Sequence, residues 1–212
     1  MSAPATPQGL DLGACVISID TELAWGEAHR RDGTRGRQFD GEREVIAAVL
    51  AMFARYDISA TWAMVGHLFL DACERDGRGP HPELVPPDYE WLDADWLEVD
   101  PCSNLETDPF WYGRDIVDII LACPVRQEIG CHSFTHVIVD DPACTPEVFT
   151  SELSAATRVA AARDVELRSF VYPRNAIGQI ALLGDHGFRC YRGGRAAEPF
   201  ADRTEREVPL FE

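Results

Sequence analysis

Short apolar runs alternate along this chain with longer amphipathic stretches, and several of the runs end on residues able to do chemistry. Cys15-Val16-Ile17-Ser18-Ile19 is apolar and β-branched and stops at Asp20, as a buried parallel strand does when it delivers polar groups at its carboxyl end. Glu128-Ile129-Gly130-Cys131 follows a helix-like stretch and runs into His132. Arg168-Ser169-Phe170-Val171-Tyr172 runs into Pro173-Arg174-Asn175. Between these runs, Glu42 to Tyr56 places Val45, Ile46, Val49, Leu50 and Phe53 at helical spacing behind Asp40 as a cap. Pro146 to Ala162 opens with Thr145 as cap and proline at the first helical position, and both stretches predict crossover helices. Ile177 to His186 predicts a third, closed by Gly187, with Phe188 to Arg192 as a further strand. Strands alternating with helices define an α/β fold, in which reactive residues gather beyond the carboxyl ends of parallel strands.

Two of those ends carry the candidate chemistry. Ser18-Ile19-Asp20-Thr21-Glu22 and Gly130-Cys131-His132-Ser133-Phe134-Thr135-His136 together offer two carboxylates and two imidazoles. Such a set suits a borderline divalent cation such as zinc, with one carboxylate left over to activate water, and it points to a metal-dependent hydrolase. Acids just past a strand also serve as plain turn formers, so Asp20 and Glu22 gain meaning only beside the histidines. His132 and His136, four apart, are expected on one face of a helical turn, with Ser133 and Thr135 capping that turn or orienting a ligand.

Taken in order, Asp20-Thr21-Glu22, His132-Ser-Phe-Thr-His136 and Phe170-Val-Tyr-Pro-Arg-Asn175 resemble the first three motifs of the polysaccharide deacetylases, the NodB-homology carbohydrate esterases. Ile58 to Gly66 resembles that family's second strand, and the likeness runs from Cys15 to Arg192. The resemblance implies a deformed (β/α) barrel, usually of seven strands, holding one divalent metal and removing an acetyl group from an N-acetylated sugar or polysaccharide. Zinc is the expected ion, with cobalt, nickel or iron as the other choices. In these terms Asp20 is the general base, and Glu22, His132 and His136 are the metal ligands. Glu22 stands one residue further on than the family's usual adjacent acid. Tyr172, Arg174 and Asn175 in the third motif, and Trp25 just past the first, are expected to meet the substrate.

Two departures from the family pattern shape the expectations. The third motif usually carries an arginine that holds the base, yet Val171 occupies the matching position, and Arg174 stands where a tyrosine is usual. Arg174 is read as reaching the site from its shifted place, to hold Asp20 or an anionic substrate group, or as a surface ion pair. Beyond Arg192 the chain ends at Val208-Pro-Leu-Phe-Glu212 without the family's later histidine segment, and His186 reads as helix termination. A barrel incomplete at its carboxyl end, a different acid, or a piece of a longer protein would each account for this. Hydrolysis of a small cyclic amide and a catalytically silent, metal-retaining carbohydrate-binding domain are the alternative functions.

Composition narrows the remaining choices. A formal net charge of −17 over 212 residues disfavours nucleic acid and anionic membrane as partners. Lysine is absent, which removes Schiff-base chemistry and a phosphate-loop lysine. Seven cysteines without a Cys-x-x-Cys pair suit reduced thiols in a cytoplasmic protein, and Cys131 is expected to point away from the site. Residues 1–13 read as a flexible lead-in without a secretion signal, and 14–212 as one catalytic domain. That domain carries a loop-rich insertion at about 71–112, whose Trp91, Trp96 and Trp111 offer a wall to a sugar or a plug for the insertion.

Overall fold

The computed structural model describes residues 15–28, 41–77 and 79–193. The lead-in, the Asp40 cap and the Val208–Glu212 ending lie outside the described residues. In chain order the regular elements are β1 (Ser18–Thr21), α1 (Glu42–Tyr56), β2 (Thr61–Met64), β3 (Arg75–Asp76), β4 (Gly79–Pro80), α2 (Arg114–Leu121), β5 (Glu128–Cys131), α3 (Pro146–Ala161), β6 (Ser169–Val171), α4 (Ile180–Asp185) and β7 (Cys190–Arg192). Five of the strands form one sheet in the order β1-β2-β5-β6-β7, and every pairing within it is parallel. The register sets Asp20 beside Ala63, Ala63 beside Gly130, and Val171 beside Arg192. All carboxyl ends therefore open on the same side.

The sheet is curled rather than flat. With about 4.8 Å between neighbours, the edges of a flat five-stranded sheet stand roughly 19 Å apart, beyond the reach of any single side chain. Yet Arg192 on edge strand β7 donates to Ser18 Oγ at 3.3 Å and to the two Asp20 oxygens on edge strand β1 at 2.6 and 2.7 Å. The edges must bend towards each other for that contact to form. This meets the expected deformed (β/α) barrel in part: the fold is α/β with a curled parallel sheet, and the described strands do not close it into a complete barrel.

Helix packing explains where the sheet is covered. In α3, Thr145 Oγ1 accepts from Val148 N at 3.4 Å, and Pro146 starts the first turn, where no N–H is needed. Phe149, Leu153, Ala156 and Ala160 then form a buried stripe, with the Phe149 ring edge-on to Phe170 of β6 at 5.6 Å. Removing the Phe149 ring would cost about 3–5 kcal/mol. The α1 stripe is narrower than its periodicity predicts. Leu50 and Phe53 are buried while Val45 is 62% exposed, because the first turns of α1 face a cleft beside β1 instead of the core. Helix α4 starts at Ile180 rather than Ile177. The Tyr172 hydroxyl donates to Gly178 O at 2.8 Å, and Gln179 takes φ 50, which holds this stretch off a helical path.

The segment 71–112 has little regular structure but is anchored. Its Tyr89, Trp96, Trp111 and Tyr112 are buried, and Trp96 Nε1 donates to Thr135 Oγ1 at 3.1 Å. Of the three tryptophans there, only Trp91 is substantially exposed, at 48%. Trp96 and Trp111 therefore plug the insertion, and Trp91 alone offers a face at the surface. Among the described residues no helix is long and apolar enough to cross a membrane.

Candidate metal centre and its surroundings

Three side chains meet beyond the carboxyl ends of β1 and β5. Glu22 Oε2 lies 3.1 Å from His132 Nε2 and 2.9 Å from His136 Nε2, and one ligand atom from each residue lies within 4.8 Å of the others. Both imidazoles are almost fully buried, while the Glu22 side chain keeps 35% of its surface. His132 Nδ1 stands 2.7 Å from Val171 O. A carbonyl oxygen only accepts, so Nδ1 carries the hydrogen, and in the neutral ring Nε2 turns a lone pair towards the Glu22 carboxylate. Two acceptors face each other there, which a cation between them would relieve. Tetrahedral coordination at zinc bond lengths separates neighbouring ligand atoms by roughly 3.3 Å, close to the spacing seen, so the donor set fits such an ion.

Electrostatics match that arrangement. Burial alone would raise the Glu22 carboxyl, but the two imidazoles of His132 and His136 against it outweigh burial and hold the group well below the usual carboxylate range. Burial holds the His136 imidazole below its ordinary value, against the pull of Glu22. Close approach at Gly26 completes the carboxylate's seat. A Cβ there would lie 2.2 Å from Glu22 Oε1, so only glycine leaves the carboxylate room.

The histidine segment is not the helical turn expected from its spacing. It is an irregular loop in which Ser133 (φ 58) and His136 (φ 63) both take left-handed backbone. Glu152, fully inside on α3, dictates this shape from beneath. Its Oε2 accepts from Phe134 N and Thr135 N, both at 2.7 Å, and its Oε1 accepts from the Thr135 hydroxyl at 2.6 Å. Three donors on one buried carboxylate overrule the local helical preference and bring His132 and His136 to the same oxygen of Glu22. Thr135 thus acts through Glu152 and Trp96, whereas no partner for Ser133 Oγ is found among the described residues.

Asp20 sits two residues before Glu22 at the end of β1, and its carboxylate is gripped on both oxygens by Arg192. Arg192 Nη2 also donates to Asn175 Oδ1 at 3.1 Å. Arg192 is the register partner of Val171, the position where the resemblance leads one to expect an arginine. Sequence reading missed Arg192 and Glu152. The available signals were an arginine closing a strand and a lone acid on the apolar stripe of α3. Arg174 and Asn175 are exposed at the rim, each with φ 56, and the charge of Arg174 reaches His136. Among the described residues no acidic ion-pair partner of Arg174 is found.

Two residues expected to meet the substrate are buried. Trp25 is wholly buried, its Nε1 donating to Trp111 O at 3.3 Å and its ring 4.7 Å from the His67 ring, so it has no face to stack on a sugar. Tyr172 is likewise buried, with its ring edge-on to Phe170 at 4.8 Å and its hydroxyl spent on Gly178 O. Packing beneath the site claims both aromatics. Cys131 is buried, as alternation along β5 predicts, and burial pushes its thiol upward. A cleft of about 460 Å³, lined by Asp20, Thr21, Glu22, Glu42, Val45 and Ile46 among others, opens on the acids of β1. A larger hollow of about 670 Å³ lies at the opposite end of the strands, around Val16, Thr61, Glu128 and Arg168, away from the ligand set.

No protein-family model matches this chain, and no curated protein does. Among solved structures the chain is similar at 14% identity to BA3943 from Bacillus anthracis, described as a CE4 family pseudoenzyme, with a TM-score of 0.44 over 82% of this chain and 40% of that one. It is similar to a BA3943 mutant with restored enzymatic activity at 14% identity and a TM-score of 0.45, covering 84% of this chain and 43% of that one. It is similar also to IcaB from Ammonifex degensii, at 14% identity and a TM-score of 0.43 over 69% and 53% of the two chains. The chain thus spans about half or less of each, and at these values the site must be read from its own residues.

Proposed function

We propose that this chain is a metal-dependent hydrolase that removes the acetyl group from an N-acetylated sugar or glycan. The observation that carries the reading is the convergence of Glu22, His132 and His136 on one point, with Asp20 beside them at a cleft. Glu22, His132 and His136 would hold the ion. When bound, a divalent cation supplies polarisation of the amide carbonyl and acidification of a water molecule, the two things an unreactive amide needs. Asp20 would accept the proton of that water, and Arg192 holds both of its oxygens in place for the transfer. Arg174, exposed beside His136, would meet substrate oxygen atoms at the rim.

The test combines metal analysis with turnover. Wild-type protein should bind zinc, cobalt, nickel or iron, and His132→Ala should lose that ion. Asp20→Asn should keep the ion and lose hydrolysis; loss of both would make Asp20 a ligand rather than a base. Acetate release should be scored on N-acetylhexosamine oligomers and nucleotide sugars, and ammonia release on cyclic ureides. Ammonia without acetate would reassign the substrate to cyclic amides. A null on every substrate by metal-loaded protein would leave a binding domain.

A further inference from the structure

A second group of metal-ligating side chains lies outside the site described above, where the segment 71–112 docks on the strand ends. His67 comes from the short turn Gly66–Phe69 after β2, Cys73 follows it, His81 comes just after β4, and Asp100 ends the turn Leu97–Val99. One ligand atom from each lies within 4.8 Å of the others. Three of them crowd one oxygen: Asp100 Oδ2 is 2.6 Å from His81 Nε2, 3.0 Å from His67 Nε2 and 3.2 Å from Cys73 Sγ. We propose that these four residues form a second, structural metal site that takes a single zinc-class cation and staples the 71–112 segment to the sheet.

The carrying observation is His67 Nε2. His67 is fully buried, and this nitrogen points at Asp100 without the alignment of a hydrogen bond. Its Nδ1 lies 3.0 Å from Trp111 O, an acceptor, so Nδ1 bears the hydrogen, and in the neutral ring Nε2 presents its lone pair inward. A buried lone pair set against a buried carboxylate is costly unless a positive charge lies between them.

The outer contacts orient the remaining ligands. Asp100 Oδ1 accepts from Cys102 N at 2.9 Å, which turns Oδ2 towards His67, Cys73 and His81. Tyr112 Oη accepts from Ser103 N at 2.8 Å and lies 3.2 Å from Cys73 Sγ, which holds the sulfur beside Asp100. One sulfur, two imidazole nitrogens and one carboxylate oxygen make a four-ligand set with no position left for substrate, the mark of a structural rather than a catalytic site. The staple also explains how a segment with so little regular structure stays packed. It ties β3, β4 and the Leu97–Val99 turn to a residue under Trp25, next to the Glu22 centre.

Cobalt reports the two sites separately, because only the second contains sulfur. Purified wild-type chain loaded with cobalt should show a thiolate-to-cobalt charge-transfer band in the near ultraviolet. The band should persist in His136→Ala and Cys102→Ser and vanish in Cys73→Ser. Zinc analysis should give two equivalents in wild type and one in each of Cys73→Ser, His81→Ala and His136→Ala. Absence of the band from folded wild type overturns the proposal, as does a band that survives Cys73→Ser. If a variant fails to fold, the wild-type spectrum still decides. A single zinc equivalent in wild type that His136→Ala leaves in place, with the cobalt band present, would sink the Glu22 centre and leave this one standing.

Discussion

The seat of Glu22 makes a sharp prediction at Gly26. A Cβ added there would sit 2.2 Å from Glu22 Oε1, 2.5 Å from Cδ and 2.8 Å from Cγ, and real contacts stay beyond 3.0 Å. The carboxylate must therefore withdraw by roughly 0.8 Å or more, whereas a metal ligand tolerates only about 0.2 Å. Losing the carboxylate from a three-residue set should weaken zinc binding by about 10–100-fold, or about 1.4–2.7 kcal/mol. Stability of the metal-free protein should move the other way or not at all. Gly26 has no left-handed φ, and Glu22 is partly exposed and free to swing outward. Gly→Ala at an ordinary φ restricts the unfolded chain and contributes up to about 1 kcal/mol. The assay is zinc titration calorimetry on Gly26→Ala, paired with urea unfolding of the metal-free form. Wild-type zinc affinity would refute the assigned ligand geometry. A loss of more than about 2 kcal/mol in the metal-free protein would show that Gly26 serves packing instead.

Other outcomes follow from the same coordinates. Arg192→Ala should lower stability by about 1 kcal/mol, a modest value because the two side chains keep 30% and 33% of their surface. Turnover should fall at least tenfold with zinc content unchanged, and Arg192→Lys, which lacks the fork, should recover only part of it; a wild-type rate in Arg192→Ala would remove it from the site. Glu152→Ala strands three donors under the histidine loop and should cost about 3 kcal/mol while weakening zinc binding, measured by unfolding and titration, with Glu152→Gln milder. Alkylation of native protein followed by mass spectrometry should label exposed Cys15 first. Cys131 and Cys144, the latter pushed up to about 12 by burial, should react only after unfolding.

Much of the frame was legible in the sequence because it depends on near neighbours. Helix α1 runs over the span its periodicity predicts, α3 starts at the proline behind its threonine cap, and β5 ends one residue before His132. The candidate ligand set could be read as well, since two histidines and two strand-end acids are rare enough together to mark themselves. Tertiary structure alone decided how they meet. Glu152 shapes the histidine loop from α3, and Arg192 reaches Asp20 only because the sheet curls. Trp25 and Tyr172 look the same in a sequence whether a ring faces a sugar or a core, and packing put both inside. His67, Cys73, His81 and Asp100 carry no recognisable spacing, so only the docking of an irregular segment could bring them to one oxygen. Local periodicity and capping act over a few residues and are written in order along the chain, whereas ligand convergence depends on long-range packing that no short window contains.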